Sequence, residues 1–139
     1  MSKALTLIDL AFLALESQVQ TGHVGGLAIF KLPKGAKDGF FQRVVESHAD
    51  WQKAAGLFQL VLRRKGVGLG WVEDGHVDVA SHIQYLALPK PGTRRQLYTL
   101  AERFHAQPLN RHHPLWEVAF IEGLEGGRGA MYVKMHHAL

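Results

Sequence analysis

Apolar positions along the chain switch several times between a helical and an extended period, and those switches define its elements. Leu10, Leu13 and Ala14 recur at helical spacing behind Thr6 and Asp9. Thr and Asp suit an N-cap and the positive end of a helix dipole, which predicts a helix over residues 7–16. Thr21-Gly22 breaks the chain. Residues 24–32 are almost continuously apolar, interrupted only by Gly25, Gly26 and Lys31. This predicts a buried strand whose glycines admit another backbone or a ligand. A turn at 33–35 leads to a helix over 38–49, with Phe40, Phe41, Val44 and Val45 on one side. A strand is predicted over 57–64, then a glycine-rich turn over 66–70. That turn is no phosphate loop, because it lacks Gly-Lys-Ser/Thr and a following helix.

The second half is more regular. Asp74-Gly75 predicts a turn and residues 77–88 an extended segment, stopped by Pro89-Lys90-Pro91-Gly92. Thr93 with Gln96 is a capping box. Leu97, Leu100, Ala101 and Phe104 form the apolar face of a helix closed by Pro108. Residues 115–121 alternate Trp116, Val118 and Phe120 with Leu115, Ala119 and Ile121. Both faces are apolar, which predicts a central strand. A glycine loop over 123–129 precedes a last strand over 130–135. By alternation His137 continues the Met131, Val133 and Met135 face, and His136 the Tyr132 and Lys134 face. Helices and strands intermix, so the expected class is α/β, a mixed sheet with flanking helices.

Composition narrows the function classes. With 139 residues, 47% apolar and 20% charged, the chain has a globular balance. The absence of cysteine removes disulfides and thiolate chemistry. No signal peptide is read at the start, and the apolar stretch over 10–15 is far shorter than the roughly 20 residues that span a bilayer. A soluble or peripheral protein is expected. The net charge of +4 gathers at Arg63-Arg64-Lys65 and Arg94-Arg95. These clusters are solvated surface, or they face an anionic lipid surface or a phosphate-bearing molecule. Nucleic acid is not expected, because no reader motif accompanies the charge.

The chemistry concentrates in His136-His137, where an apolar strand delivers two histidines at its end. Imidazole titrates near pH ~6.5, so a neutral ring is available as a general base. The alternative is a pair of ordinary strand-end histidines. His112-His113 is a second pair, but adjacent strand residues point to opposite faces, and no His-Glu-x-x-His occurs; no metal site is expected. No Gly-x-Ser-x-Gly elbow is present, so a lone base acting on a hydroxyl is the simpler chemistry.

Met135-His136-His137-Ala138-Leu139 resembles the first half of the His-His-x-x-x-Asp-Gly motif of coenzyme A-dependent acyltransferases. Asn110 to Glu117, Asn-Arg-His-His-Pro-Leu-Trp-Glu, resembles the Pro-Leu-Trp block of bacterial wax ester synthase/diacylglycerol acyltransferases, at that family's distance ahead of the His pair. Residues 5–16, 23–27 and 88–92 are also similar to that family. Asn110 departs from its usual Asp. The motif's Asp is expected two residues beyond Leu139, its Gly directly after, and the family's Asn-Asp motif lies in a half this chain does not include.

The resemblance implies a chloramphenicol acetyltransferase-like fold, two lobes around a tunnel, with residues 1–139 as most of the N-terminal lobe and the C-terminal lobe outside this chain. It implies His137 as general base, His136 in support, and acyl transfer from acyl-CoA to a long-chain alcohol or diacylglycerol, giving wax esters or triacylglycerols for storage. Pro114, Leu115 and Trp116 are expected to be structural, Trp116 in the core. Gly25, Gly26 and Met135 are candidate tunnel positions, although tight strand packing also accounts for the glycines. The apolar face around His137 suits a desolvated base and an acyl chain. No bound cofactor is implied; acyl-CoA is a co-substrate. A cytoplasmic protein is expected, peripheral to the inner membrane surface or to lipid inclusions, with the isolated 139 residues inactive. Two alternatives stand: a non-catalytic lipid-surface module, and a superfamily relative that accepts amines or carrier-protein thioesters.

Overall fold

The computed structural model describes residues 4–17, 21–48 and 55–139. The elements run α1 (Leu7–Leu15), β1 (His23–Lys31), α2 (Phe40–Ser47), β2 (Leu60–Lys65), β3 (Gly68–Glu73), β4 (Ile83–Ala87), α3 (Arg94–Ala106), β5 (Trp116–Leu124) and β6 (Arg128–His136). Four strands form one sheet in the order β1-β6-β5-β4, and β2-β3 form a separate hairpin. β4 pairs parallel with β5, and the other neighbours in the larger sheet are antiparallel. This is the expected mixed sheet, with β5 at its centre. α3 is the crossover that a parallel β4–β5 pair requires.

Alternation along β5 builds two layers. Ala119 and Ile121 pack with Ala130 and Tyr132 of β6 against Leu97, Ala101 and Phe104 of α3. Phe120 packs against Phe41 and Val45 of α2, with Val118 and Met131 at the margin. α3 starts at the expected capping box: Gln96 N–H donates to Thr93 Oγ1, and Thr93 N–H donates to Gln96 Oε1. Thr6 and Asp9 do the same for α1. The N-terminus of α2 is capped from the sheet, where the Glu122 carboxylate accepts from Gly39 and Phe41 N–H. The predicted end of that helix at residue 49 lies outside the described residues.

A third cluster positions the histidine pair. Leu13 of α1, Leu60 and Leu62 of β2, Trp71 of β3, Leu109, Leu115 and Ala138 meet there. Helix, hairpin, Pro-Leu-Trp block and chain end thus share one core.

Several expectations need correction. β1 is an edge strand, not a buried one: among the described residues it pairs only with β6, and Val24, Ile29 and Phe30 are exposed. Its apolar run gives no sign of which faces are covered. The segment read as a turn over 66–70 contains only a two-residue turn and then β3, whose Gly68 and Gly70 hide its extended pattern. Lys65 lies across Gly70, where a Cβ would come within 3.1 Å of its side chain. Residues 56–59 and 79–82 form 3₁₀ turns rather than the first halves of strands. Asp78 caps the second, its side chain accepting from Ala80 N–H.

Candidate active site

β6 ends at His136, and the chain turns there. His136 N–H donates to Leu115 O at 2.9 Å, which joins the motif directly to the Pro-Leu-Trp block. His137 N–H donates to Gly22 O at 2.9 Å, and Leu139 N–H to His136 O. The His137 ring is exposed and stacks on Phe12, centroids 4.7 Å apart and planes 11° apart. His137 has therefore left the strand, and its ring surface is formed with α1 rather than with Met131 and Val133.

His136 has the opposite environment. It is buried, 2% exposed. Its Nδ1 accepts from Ala138 N–H at 3.0 Å. Its Nε2 lies 3.7 Å from Glu16 Oε2 and makes no hydrogen bond. Burial pushes its pKa below the usual histidine range, Arg111, His23 and His137 push the same way, and Glu16 pulls back. Close approach depends on Gly22, where a Cβ would stand 2.7 Å from Nε2.

Glu16, the C-cap residue of α1, is the hub. Its Oε2 accepts from Arg111 Nε at 3.0 Å and Nη2 at 2.7 Å, and its Oε1 accepts from Gly22 N–H at 3.2 Å. Arg111 Nη2 also donates to Leu13 O at 2.6 Å, at the free end of α1. Burial alone raises the Glu16 pKa, but Arg111, the Gly22 N–H and His136 outweigh it and hold the carboxyl below the ordinary range. Both guanidinium donors converge on the single oxygen Oε2, and a hydrogen bond between charged partners is stronger than a neutral one.

The Pro-Leu-Trp residues Pro114, Leu115 and Trp116 are all buried. Leu115 is fully buried. Trp116 stacks on His82 at 4.4 Å, and its Nε1–H donates to Phe58 O at 3.0 Å. Asn110 makes a local turn, its Oδ1 accepting from His112 N–H. The ion pair at that corner belongs to Arg111, next in the chain. Gly25 lies against the Tyr132 hydroxyl with no room for a Cβ, whereas Gly26 has open space. Met135 is half-buried opposite Val24 and Trp116. No group of three or more His, Asp or Glu among the described residues is placed to hold a metal ion. His112 is exposed, and His113 lies 6.1 Å from the His82 ring.

Sequence reasoning missed Glu16, Arg111, Gly22 and Lys134 as parts of this end of the sheet. Glu16 and Arg111 lie inside two of the family-like stretches, 5–16 and 110–117, which is the signal that could have found them. Lys134 interrupts an apolar strand on its inward face, which is itself a sign of a dedicated partner.

The family model described as the wax ester synthase/diacylglycerol acyltransferase catalytic domain matches residues 5–139. The chain belongs to the wax ester synthase/diacylglycerol acyltransferase family. It is similar to the O-acyltransferase WSD of Acinetobacter baylyi, 41% identical over 95% of this chain and 28% of the relative. It superposes on the wax ester synthase/diacylglycerol acyltransferase from Marinobacter aquaeolei VT8 with a TM-score of 0.90 and 36% identity, covering 99% of this chain and 35% of that one. A starter condensation domain of rhizomide synthetase matches in fold alone, at TM-score 0.69 and 16% identity, over 99% of this chain and 33% of that one. As a member of this wax ester synthase/diacylglycerol acyltransferase family, the chain spans about a third of the length of such relatives. Among its described residues no helix is long and apolar enough to cross a membrane.

Proposed function

We propose that the protein containing this chain moves a fatty acyl group from acyl-CoA to the hydroxyl of a long-chain alcohol or a diacylglycerol, making wax esters and triacylglycerols for storage. Family membership and the fold support this reading. The neutral His137 imidazole takes the hydroxyl proton as the oxygen attacks the thioester carbonyl carbon. The tetrahedral intermediate collapses with cleavage of the C–S bond. The imidazolium returns the proton to the departing CoA sulfur. Acyl-CoA is a co-substrate, and the scheme calls on no bound cofactor. Residues 1–139 supply most of the N-terminal lobe, and a second lobe completes the tunnel and the oxyanion donors.

The observation that carries the reading is the different setting of the two histidines. His137 offers an exposed ring braced on Phe12, while His136 is buried behind it and tied to the backbone. That difference supports reading His137 as the presented base and His136 as its fixed support. Both substrates partition into lipid, so the protein works as a peripheral partner of the membrane or of lipid inclusions. The Arg63, Arg64 and Lys65 cluster beside the fully exposed Val67 supports that contact.

The test is CoA release by the full-length protein, given a long-chain acyl-CoA with a fatty alcohol or a diacylglycerol. Alcohol-dependent release that falls by about 10²-fold or more in a folded His137→Ala variant is expected. Undiminished release in that variant would sink the assignment of the base.

A further inference from the structure

We propose that Glu16 is a positioning residue for acyl transfer: it fixes the neutral His136 ring with its proton on Nε2, and that ring, through the Ala138 amide, sets the turn that presents His137. The inference rests on reading His137 as the base.

The geometry leaves His136 one favourable neutral form. Ala138 N–H donates to Nδ1, so Nδ1 keeps its lone pair and the proton sits on Nε2. Nε2–H then faces the Glu16 carboxylate at 3.7 Å. The other tautomer would set Nδ1–H against Ala138 N–H, donor against donor, and turn a lone pair toward an anion. Both ends of the ring therefore select the same form.

The carboxylate is itself fixed. Arg111 grips Oε2 with two donors, and Gly22 N–H holds Oε1. The groups facing His136 are Glu16 at the end of α1, Arg111 from the segment before β5, His23 on β1 and His137 next in the chain; of these four, Glu16 is the anion. Gly22 joins the two halves of the device, because its N–H binds Glu16 and its carbonyl accepts from His137 N–H. A loosened Glu16 would thus disturb His137 by two routes, the tautomer and the Gly22 backbone. A misplacement of about 1 Å at a reacting group can cost roughly 10²-fold in rate.

The experiment uses the full-length protein as wild type, Glu16→Ala, Glu16→Gln and His137→Ala. It records kcat and KM for acyl-CoA together with the ring-nitrogen NMR of ¹⁵N-labelled histidine. Wild type should show His136 protonated on Nε2. Glu16→Ala leaves the Ala138 N–H as the remaining contact that selects a tautomer, so the Nδ1-protonated share should rise above the wild-type level, and kcat should fall by about 10–100-fold with KM for acyl-CoA little changed. Glu16→Gln keeps an acceptor and should recover part of both. If Glu16→Ala does not fold, Glu16→Gln decides alone, because kcat and tautomer must move together. A loss of kcat with a wild-type tautomer, a changed tautomer with wild-type kcat, or His136 protonated on Nδ1 in wild type overturns the proposal. Retained activity in His137→Ala brings down the assignment of the base instead, and the spectra still settle the link between Glu16 and His136.

Discussion

Lys134 Nζ lies 3.2 Å from Glu117 Oε2, at the facing position of the neighbouring strand, and the lysine side chain keeps no solvent-exposed surface. The same Nζ donates to Phe104 O at 3.0 Å and Gln107 O at 2.8 Å, and sits 4.4 Å from the centre of the Phe104 ring. A cation from the sheet thus adds a donor at the last turn of α3, to Gln107 O and to Phe104 O, which also accepts from Gln107 N–H at 3.4 Å. Burial holds the Lys134 pKa below the usual lysine range, with Glu117 pulling it back up.

Three variants separate the helix cap from the ion pair. Lys134→Met keeps most of the stem but removes the ammonium donor from the buried Phe104 carbonyl and the part-buried Gln107 carbonyl, and should cost about 2–4 kcal/mol. Lys134→Ala should cost more, because a cavity adds to the loss. Glu117→Gln should cost least, because Glu117 is partly solvated and Lys134 keeps both carbonyls. Urea unfolding gives the order. Equal losses in Glu117→Gln and Lys134→Met would mean that the charge pair, not the cap, is the stabilising contact.

How much was legible in the sequence depended on range. The Thr6 and Thr93 caps, the central place of β5 and the burial of Trp116 follow from local pattern, and they stand as read. Burial of β1 did not follow, because an apolar run is the same whether or not a face is covered. β3 was lost because Gly68 and Gly70 carry no side chains to show a period of two. For the histidines, alternation placed His136 on the face of Tyr132 and Lys134, which is where it lies, but the desolvated setting expected for His137 belongs to that face instead. Alternation failed for His137, because the strand ends one residue earlier, at a turn made by the His136 ring and Ala138. The Glu16–Arg111 pair spans 95 positions, a separation no local pattern encodes.

The two glycines of β1 should behave differently. Gly25→Ala drives a Cβ into the Tyr132 hydroxyl, which holds His105 Nδ1 at 2.7 Å. A loss of about 1–3 kcal/mol is expected. Gly26→Ala meets nothing within 4 Å and should stay within about 0.5 kcal/mol. Paired thermal melts and CoA-release assays on the full-length protein check both. Lower activity in a Gly26→Ala variant of unchanged stability would mark Gly26 as a tunnel wall. Full activity there, with a destabilised Gly25→Ala, would assign the glycines to packing alone.

The β2–β3 hairpin is the element to test for lipid contact. Its tip carries Val67 fully exposed, with Leu69 half in solvent beside Arg63, Arg64 and Lys65. Reversing Arg64 and Lys65 to Glu should weaken sedimentation with vesicles containing anionic lipid, and should remove most of its dependence on salt. Binding that is unchanged, or equally strong on neutral vesicles, would take this hairpin out of the proposal.

Acid should weaken this end of the fold before it touches ordinary carboxylates. His136 and His23 are both held below the usual histidine value of 6.5, burial being the largest cause in each. Below pH 6.5 the unfolded chain takes up protons that the folded chain refuses. Stability from these two rings is therefore complete above pH 6.5 and is lost as pH falls from there through their folded values. Glu16, held below its ordinary 4.5, adds a second loss that begins lower, as pH falls below 4.5. The melting temperature should thus be level above about pH 7 and decline from near 6.5. His136→Asn can still accept from Ala138 N–H but does not titrate, so its decline between pH 6.5 and 5 should be shallower, with His23 supplying what remains. Calorimetric melts of the full-length protein across that range give both slopes. Parallel curves for wild type and His136→Asn would show that the buried imidazole does not set the acid sensitivity.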